Sequence, residues 1–400
     1  MEKIVFRKEI HDRIDEIKGA DILVGIPSYN NARTIGHVVK AVQAGLAKYF
    51  PDRKSVLLNS DGGSTDGTME VFRQATIEDF QTILLHHRIG SFFKIATPYH
   101  GIPGKGSAFR TIFELSDAIN AKACAVVDSD LRSITPEWIE LLIKPVIDGG
   151  FDYVAPLYHR HKYDGTITNS IIYPLTRALY GRRVRQPIGG DFGFSGRLAK
   201  FYLTRDVWET DVARYGIDIW MTTTAIANNF KVCQSFLGAK IHDLKDPGAD
   251  LSAMLYQVVG AAFDFMETYS DVWKDVIKTE SVPIYGFQYT VGLEPVSVNL
   301  DRMIDKFRLG VRELGEIWKD FLSSEIIDFL QTAAGLLKEE FHIPDKVWTE
   351  IIYNFAIASH KKAISREHLL KSLTPLYIGR TASFVKETCD SDASEVEGKI

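Results

Sequence analysis

Ala123-Cys-Ala-Val-Val-Asp128-Ser129-Asp130 is an apolar run that ends in two carboxylates one residue apart. A buried strand has no internal use for such a pair, because desolvating an unpaired carboxylate is costly. At the carboxyl end of a strand in an open α/β sheet, ligands bind in the crevice. Two oxygen ligands there suit a hard divalent cation, Mg2+ or Mn2+, which in turn grips a diphosphate. The other reading is an Asp-Ser-Asp turn that caps a following helix, since Thr135-Pro136-Glu137 comes next. Further segments carry chemistry of the same kind. Ile26-Pro27-Ser28-Tyr29-Asn30 offers small polar groups for a base edge and, in Tyr29, a flat apolar wall. Asp61 opens Asp61-Gly-Gly-Ser-Thr-Asp66-Gly67 and can accept hydrogen bonds from a base or ribose. That loop lacks the alternating aspartates and closing glutamate of an EF-hand.

Pro103-Gly104-Lys105-Gly106-Ser107 does not have the spacing of a Walker loop, yet a lysine between glycines at a helix start is placed for phosphate. Gln186-Pro187-Ile188-Gly189-Gly190-Asp191 brings a carboxylate after two glycines, where backbone approaches a ligand closely. Tyr215-Gly216-Ile217-Asp218 puts another at a helix start, where N-terminal capping is the alternative. His242 follows Gly238-Ala-Lys-Ile and offers an imidazole to a metal site short of a third protein ligand. A structural histidine is the other reading.

The elements that must hold these residues are legible from periodicity. Residues 1–20 read as a charged helical lead-in, and Ile22–Ile26 and Ser55–Leu58 as short buried strands. Ile35, Val38, Val39, Val42 and Leu46 fall on one helical face. A further helix follows Lys105. Strands alternating with helices predict an α/β fold with a mostly parallel, covered sheet whose polar loops converge on one edge. After about residue 290 the pattern turns all-helical: Met303, Ile304, Phe307, Val311, Leu314, Ile317, Trp318 and Phe321 keep helical spacing, and Ile351 through Leu370 does so again. The expected division is a catalytic region over 1–290, a helical extension over 291–388 that covers the core or joins subunits, and a frayed polar tail over 389–400.

The chain has 400 residues, 45% hydrophobic and 25% charged, which is the profile of an ordinary globular protein long enough for two structural units. A net charge of −5 argues against general nucleic-acid binding. Three widely spaced cysteines form no disulfide framework and fit a reducing cytoplasm. No secretory signal opens the sequence and no apolar run is long enough for a bilayer, so cytoplasmic chemistry on water-soluble substrates is expected.

In order, these segments resemble the retaining GT-A glycosyltransferases that make mannosylglycerate or glucosyl-3-phosphoglycerate. Pro27-Ser-Tyr-Asn30, Asp61-Gly-Gly-Ser-Thr-Asp66, Pro103-Gly-Lys-Gly106, Asp128-Ser-Asp130, Gln186–Asp191, Gly216–Ile219 and His242 match that group's motifs over residues 20–260. The resemblance implies a GT-A nucleotide-sugar fold. It implies that Pro27, Ser28, Tyr29 and Asp61 hold the nucleoside and that Lys105 approaches the nucleotide and its diphosphate. Asp130 and His242 would bind the metal, while Asp128, with Ser129 beside it, positions donor ribose or sugar. Asp191 would lie beside the sugar and Asp218 near the acceptor or the sugar hydroxyls, making Asp191, Asp218 and Lys105 the catalytic candidates. Asn31 stands where the phosphoglycerate-using relatives carry glutamate, which leaves base preference open.

Those relatives also hold an acceptor phosphate with an arginine and a threonine; here the matching run is Gly165-Thr166-Ile167-Thr168, without the arginine. A guanidinium is the side chain best fitted to bidentate phosphate recognition. Its loss favours D-glycerate over 3-phosphoglycerate, although Arg160 or Lys162 can bring charge from another direction. Arg160, Thr166, Thr168, Gly189 and Gly190 are the acceptor-site candidates. The expected reaction is transfer of glucose or mannose from a UDP-, GDP- or ADP-linked donor to the 2-hydroxyl of glycerate, with retention, by a metal-dependent homodimer that makes a compatible solute. Loops near 160–170 and 243–252 are candidate lids. The competing classes are a sugar-1-phosphate nucleotidyltransferase, whose long glycine-rich opening loop is missing, and a non-catalytic binding protein.

Overall fold

The computed structural model describes residues 8–75, 91–99, 101–241, 252–289, 292–293 and 296–400. Ten strands occur among them: β1 (Ile22–Ser28), β2 (Ser55–Asp61), β3 (Phe92–Pro98), β4 (Ala123–Val126), β5 (Tyr153–His159), β6 (Arg182–Arg183), β7 (Phe192–Ser195), β8 (Val232–Ala239), β9 (Glu280–Ser281) and β10 (Ile284–Tyr285). Eight of them form one sheet in the order β10-β8-β5-β7-β4-β1-β2-β3. Every pairing in it is parallel except those of β7, which runs antiparallel to both β4 and β5. β1, β2, β4 and β7 are buried along their whole length, as befits strands covered on both faces.

Helices fill those faces for reasons visible in the sequence. In helix Ile35–Tyr49 the five residues read as one face are all buried, and they pack into a core with Ile22, Val24 and Ile26 of β1 and with Trp138, Ile139 and Leu142. Helix Pro136–Ile147 starts on a proline, whose fixed φ suits the first helical position. The α/β architecture with a mostly parallel sheet and a helical carboxyl-terminal region is therefore as expected.

The chain divides into two units, neither contiguous in sequence. The first comprises Met1–His159, Thr176–Asp243 and Asp275–Gly292; the second comprises Arg160–Leu175, Leu244–Lys274 and Leu293–Ile400. A single boundary at 290 was expected. The difference arises because the helix Ser252–Thr268 buries Leu255, Val258, Val259 and Phe263 within the helical unit, where Arg366 grips Asp264 through two bonds of 2.7 and 2.8 Å. The second unit is built on helices Leu300–Trp318, Ser324–Gly335, Asp345–Lys361 and Arg366–Thr388. The helical spacing over 351–370 belongs to two helices, separated where Lys362 takes a left-handed conformation. The tail is not frayed throughout: Ala393–Lys399 is helical, opened by a reciprocal capping box between Asp392 and Glu395, with Val396 buried. No helix among the described residues is long and apolar enough to cross a membrane.

Candidate active site

Strand direction brings the carboxylates together. β4 delivers Asp128 just past its carboxyl end. The antiparallel β7 enters the sheet from that same edge, with Val126 opposite Phe192, so the residue before β7 lies alongside. Asp191 is that residue, and its Oδ1 accepts the Asp128 backbone N–H at 2.8 Å. β8 runs parallel to β5 and ends at Ala239, which sets Lys240 on the same edge.

Lys240 was not among the residues singled out from sequence, and it proves central. Its ammonium donates to Asp128 Oδ2 at 2.8 Å, Asp191 Oδ2 at 2.7 Å and the Gly189 carbonyl at 2.8 Å, and it lies 5.3 Å from the Tyr158 ring centroid. Tyr158 also donates its hydroxyl to Asp191. Asp191 is wholly buried and receives three donors, so it braces the site from behind. Burial pushes its pKa up, against the pull of Lys240.

Lys105 approaches Asp128 from the other side. It opens the helix Lys105–Ala118, and its Nζ lies 2.9 Å from Asp128 Oδ1 and 3.5 Å from Asp218 Oδ1. The glycines beside it permit main-chain contact. A Cβ on Gly106 would fall 1.8 Å from the Val212 carbonyl oxygen, and one on Gly104 would fall 2.5 Å from that of Ala213. Gly106 N–H donates to the Arg214 carbonyl at 3.2 Å, which ties the start of this helix to the segment leading into Ile217–Ala227 and Asp218. Burial works to lower the pKa of Lys105, but Asp128 and Asp218 outweigh it and raise the value. Burial likewise opposes ionisation of Asp128, where the two lysines prevail and hold its pKa well below the ordinary carboxylate range. Asp218 goes the other way: burial raises its pKa against the pull of Lys105, and its buried Oδ1 has the 3.5 Å ion pair with Lys105 but no well-formed hydrogen bond among the described residues. Such an atom suits a ligand hydroxyl.

Asp130 differs from Asp128. Among the described residues its carboxylate has neither a hydrogen bond nor an ion pair, which fits a group kept for a cation. Magnesium is commonly held by one or two carboxylates, with substrate phosphates and water completing its shell. Among the described residues no group of three or more His, Cys, Asp or Glu side chains is placed to hold a metal ion. His242, the expected second ligand, and the candidate lid over 243–252, apart from Ser252, lie outside them.

The nucleoside-side motifs explain one another. Asp61 accepts from Ser28 Oγ, Ser64 Oγ and the N–H groups of Gly63 and Ser64, at 2.6–2.9 Å. These fill the roughly four acceptor positions of a carboxylate. Asn30, Asn31 and Ala32 donate their N–H groups to Ser64, Thr68 and Asp66, clamping the β1 loop to the β2 loop. Asn31 Oδ1 accepts from Ser129 Oγ at 2.8 Å and from the Tyr29 N–H at 3.0 Å. Ser28 and Pro27 are buried, whereas Tyr29 is 63% exposed and presents its ring. Hence Ser28, Asn31, Asp61 and Ser129 build the loops, and Tyr29 is left as the free wall.

The acceptor candidates divide. Gly189 and Gly190 leave no room for a ligand on their Cβ side. A Cβ would fall 2.2 Å from Pro156 Cγ at the first, and 2.2 Å from Asp128 Oδ2 at the second, where φ is +88°. Their lack of a side chain lets Pro156 and Asp128 pack against the main chain. In the helical unit, a Cβ on Gly165 would lie 3.3 Å from Arg160 Nη1 and 3.9 Å from Thr168 Oγ1, so those two side chains converge on one glycine. Asp164 stands 3.6 Å from Arg160. Thr166 departs from expectation, because its hydroxyl is bonded to that of Tyr377 and buried. Lys162 is likewise committed, donating to the carbonyls of Thr388, Cys389 and Ser391 at the end of a helix.

Among solved structures, glucosyl-3-phosphoglycerate synthase from Mycobacterium tuberculosis in complex with Mg2+ and uridine diphosphate is 21% identical, with a TM-score of 0.46 over 66% of this chain and 85% of that one. The same synthase with Mn2+, UDP-glucose and phosphoglyceric acid is 19% identical, with a TM-score of 0.46 over 67% of this chain and 86% of that one. No curated protein matches the chain. Residues 23–208 match the family model described as Glycosyl transferase family 2, a span that holds β1 but for Ile22, β2 to β7 and the candidate site residues Lys105, Asp128, Asp130 and Asp191.

Proposed function

We propose that this protein is a metal-dependent, retaining glycosyltransferase that moves glucose or mannose from a nucleoside diphosphate to the 2-hydroxyl of D-glycerate. The observation that carries the reading is the convergence of Lys105, Asp128, Asp191, Asp218 and Lys240 on one sheet edge, two residues from Asp130, which has no partner among the described residues. Breaking the anomeric C–O bond puts negative charge on the departing diphosphate. Lys105, at a helix N-terminus, is the chain's own cation for that charge. Asp130, with His242, would hold a divalent cation, which when bound supplies further positive charge to the leaving group. Tyr29 backs the base, Asp218 accepts from a sugar hydroxyl, and Asp191 acts from behind by fixing Asp128 rather than as a nucleophile.

Arg160 and Thr168 are proposed to hold the acceptor's carboxylate. Asp164 beside Arg160 supports glycerate over phosphoglycerate, because a second carboxylate repels a more highly charged acceptor. The test is an activity matrix of UDP-, GDP- and ADP-hexoses against D-glycerate and 3-phosphoglycerate with Mg2+ or Mn2+. The expected result is metal-dependent transfer to glycerate with the anomeric configuration kept. Faster turnover of 3-phosphoglycerate overturns the acceptor assignment, and pyrophosphate release from a nucleoside triphosphate would favour a nucleotidyltransferase instead.

A further inference from the structure

The two lysines on Asp128 are held very differently. Lys240 has a side chain only 4% exposed, and its three acceptors, all within 2.8 Å, account for the three N–H donors of an ammonium. Lys105 has a side chain 18% exposed, one short contact at 2.9 Å and one long contact at 3.5 Å. Among the described residues, three carboxylates (Asp128, Asp191 and Asp218) thus share two ammonium groups. If a diphosphate takes Lys105, Asp128 loses one partner, and a carboxylate only 21% exposed with none would be disfavoured.

We infer that Lys240 is a positioning residue that keeps Asp128 paired and in place while Lys105 is handed over to the donor's diphosphate. This rests on the nucleotide-sugar reading above. It assigns Lys240 an action through Asp128 and Lys105, without contact to the donor. Remove it, and Asp128 retains Lys105 for itself.

The test uses the full chain with Mg2+ and isothermal titration of UDP, GDP and ADP, followed by the nucleoside of whichever diphosphate binds best. Lys240→Met alone leaves a buried charge imbalance, so the working variant is Lys240→Met/Asp191→Asn, which removes one charge of each sign. It should melt close to the parent. It should bind the nucleoside within about twofold of the parent, yet bind the diphosphate at least tenfold more weakly. Adding Asp128→Asn frees Lys105 and should restore diphosphate binding to within about threefold. Unchanged diphosphate affinity in the double variant, an equal loss for nucleoside and diphosphate, or no recovery in the triple variant each overturn the inference. So does failure of the double variant to fold, since Asp191→Asn balances the buried charge that Lys240→Met removes. A parent protein that binds none of the three diphosphates overturns the donor reading itself.

Discussion

Asp128 and Asp130 are two residues apart in number and opposite in circumstance. One is gripped by two ammonium groups; the other has no partner among the described residues. Asp130→Ala should therefore weaken Mn2+ binding at least tenfold, read by the electron spin resonance of free Mn2+, while unfolding stability stays within about 0.5 kcal/mol. Parent-like Mn2+ affinity would reject its role. Asp218 offers a pH-dependent counterpart. Burial raises its folded-state pKa above the ordinary 3.8, so between that value and the raised one the folded chain binds more protons than the unfolded chain. Stability is thus lost as pH rises through that window, and the loss persists at neutrality. Asp218→Asn should raise the urea midpoint at pH 7 and flatten its dependence between pH 4 and 7, while transfer falls by about 10²-fold. A lower midpoint at pH 7 would mean that the pair with Lys105 outweighs burial. Residue types and spacing announced both aspartates. Lys240 escaped notice because a lone lysine after an apolar strand looks like any surface lysine; only the direction of β8 gives it company.

At the level of elements, the start of helix Lys105–Ala118 is spaced by main chain. Gly106→Ala would drive a methyl into the Val212 carbonyl, 1.8 Å from where the Cβ must sit. The helix start must shift, and a shift of about 1 Å at a catalytic group is enough to cost about 10²-fold in turnover. Single-turnover kinetics alongside a circular dichroism melt would separate that from unfolding; parent-like turnover rejects it. The threonines of the 165–168 run should also part company. Thr166→Val breaks the bond to Tyr377 and should cost about 1 kcal/mol of stability without changing acceptor KM. Thr168→Val should raise acceptor KM severalfold, and the opposite pattern would restore Thr166 to the site. Periodicity exposed the long helices, because five apolar residues on one face of Ile35–Tyr49 leave few alternatives. It joined Asp345–Lys361 to Arg366–Thr388, since the left-handed turn at Lys362 carries no glycine to mark it. The partner of Thr166 is more than two hundred residues away, beyond any local signal.

Over the whole chain, sequence order and spatial grouping diverge. Residues 160–175 and 244–274 group with the helical unit, although segments of the sheet-bearing unit flank both in sequence. The helical unit exposes Leu309, Leu337, Tyr353 and Ile357. Together with its length, these are in keeping with the homodimer expected from the sequence. Light scattering should give twice the chain mass at micromolar concentration, and a monomer mass would reject it. A further consequence belongs to anyone who would re-engineer the protein. Peptide planes at Gly104 and Gly106 rest on those of residues 212–214, so the lysine-bearing and Asp218-bearing segments form one transplantable cassette. Grafting either loop alone into a related scaffold would scramble both, whereas donor preference can be retuned by side-chain exchange with the pair left intact.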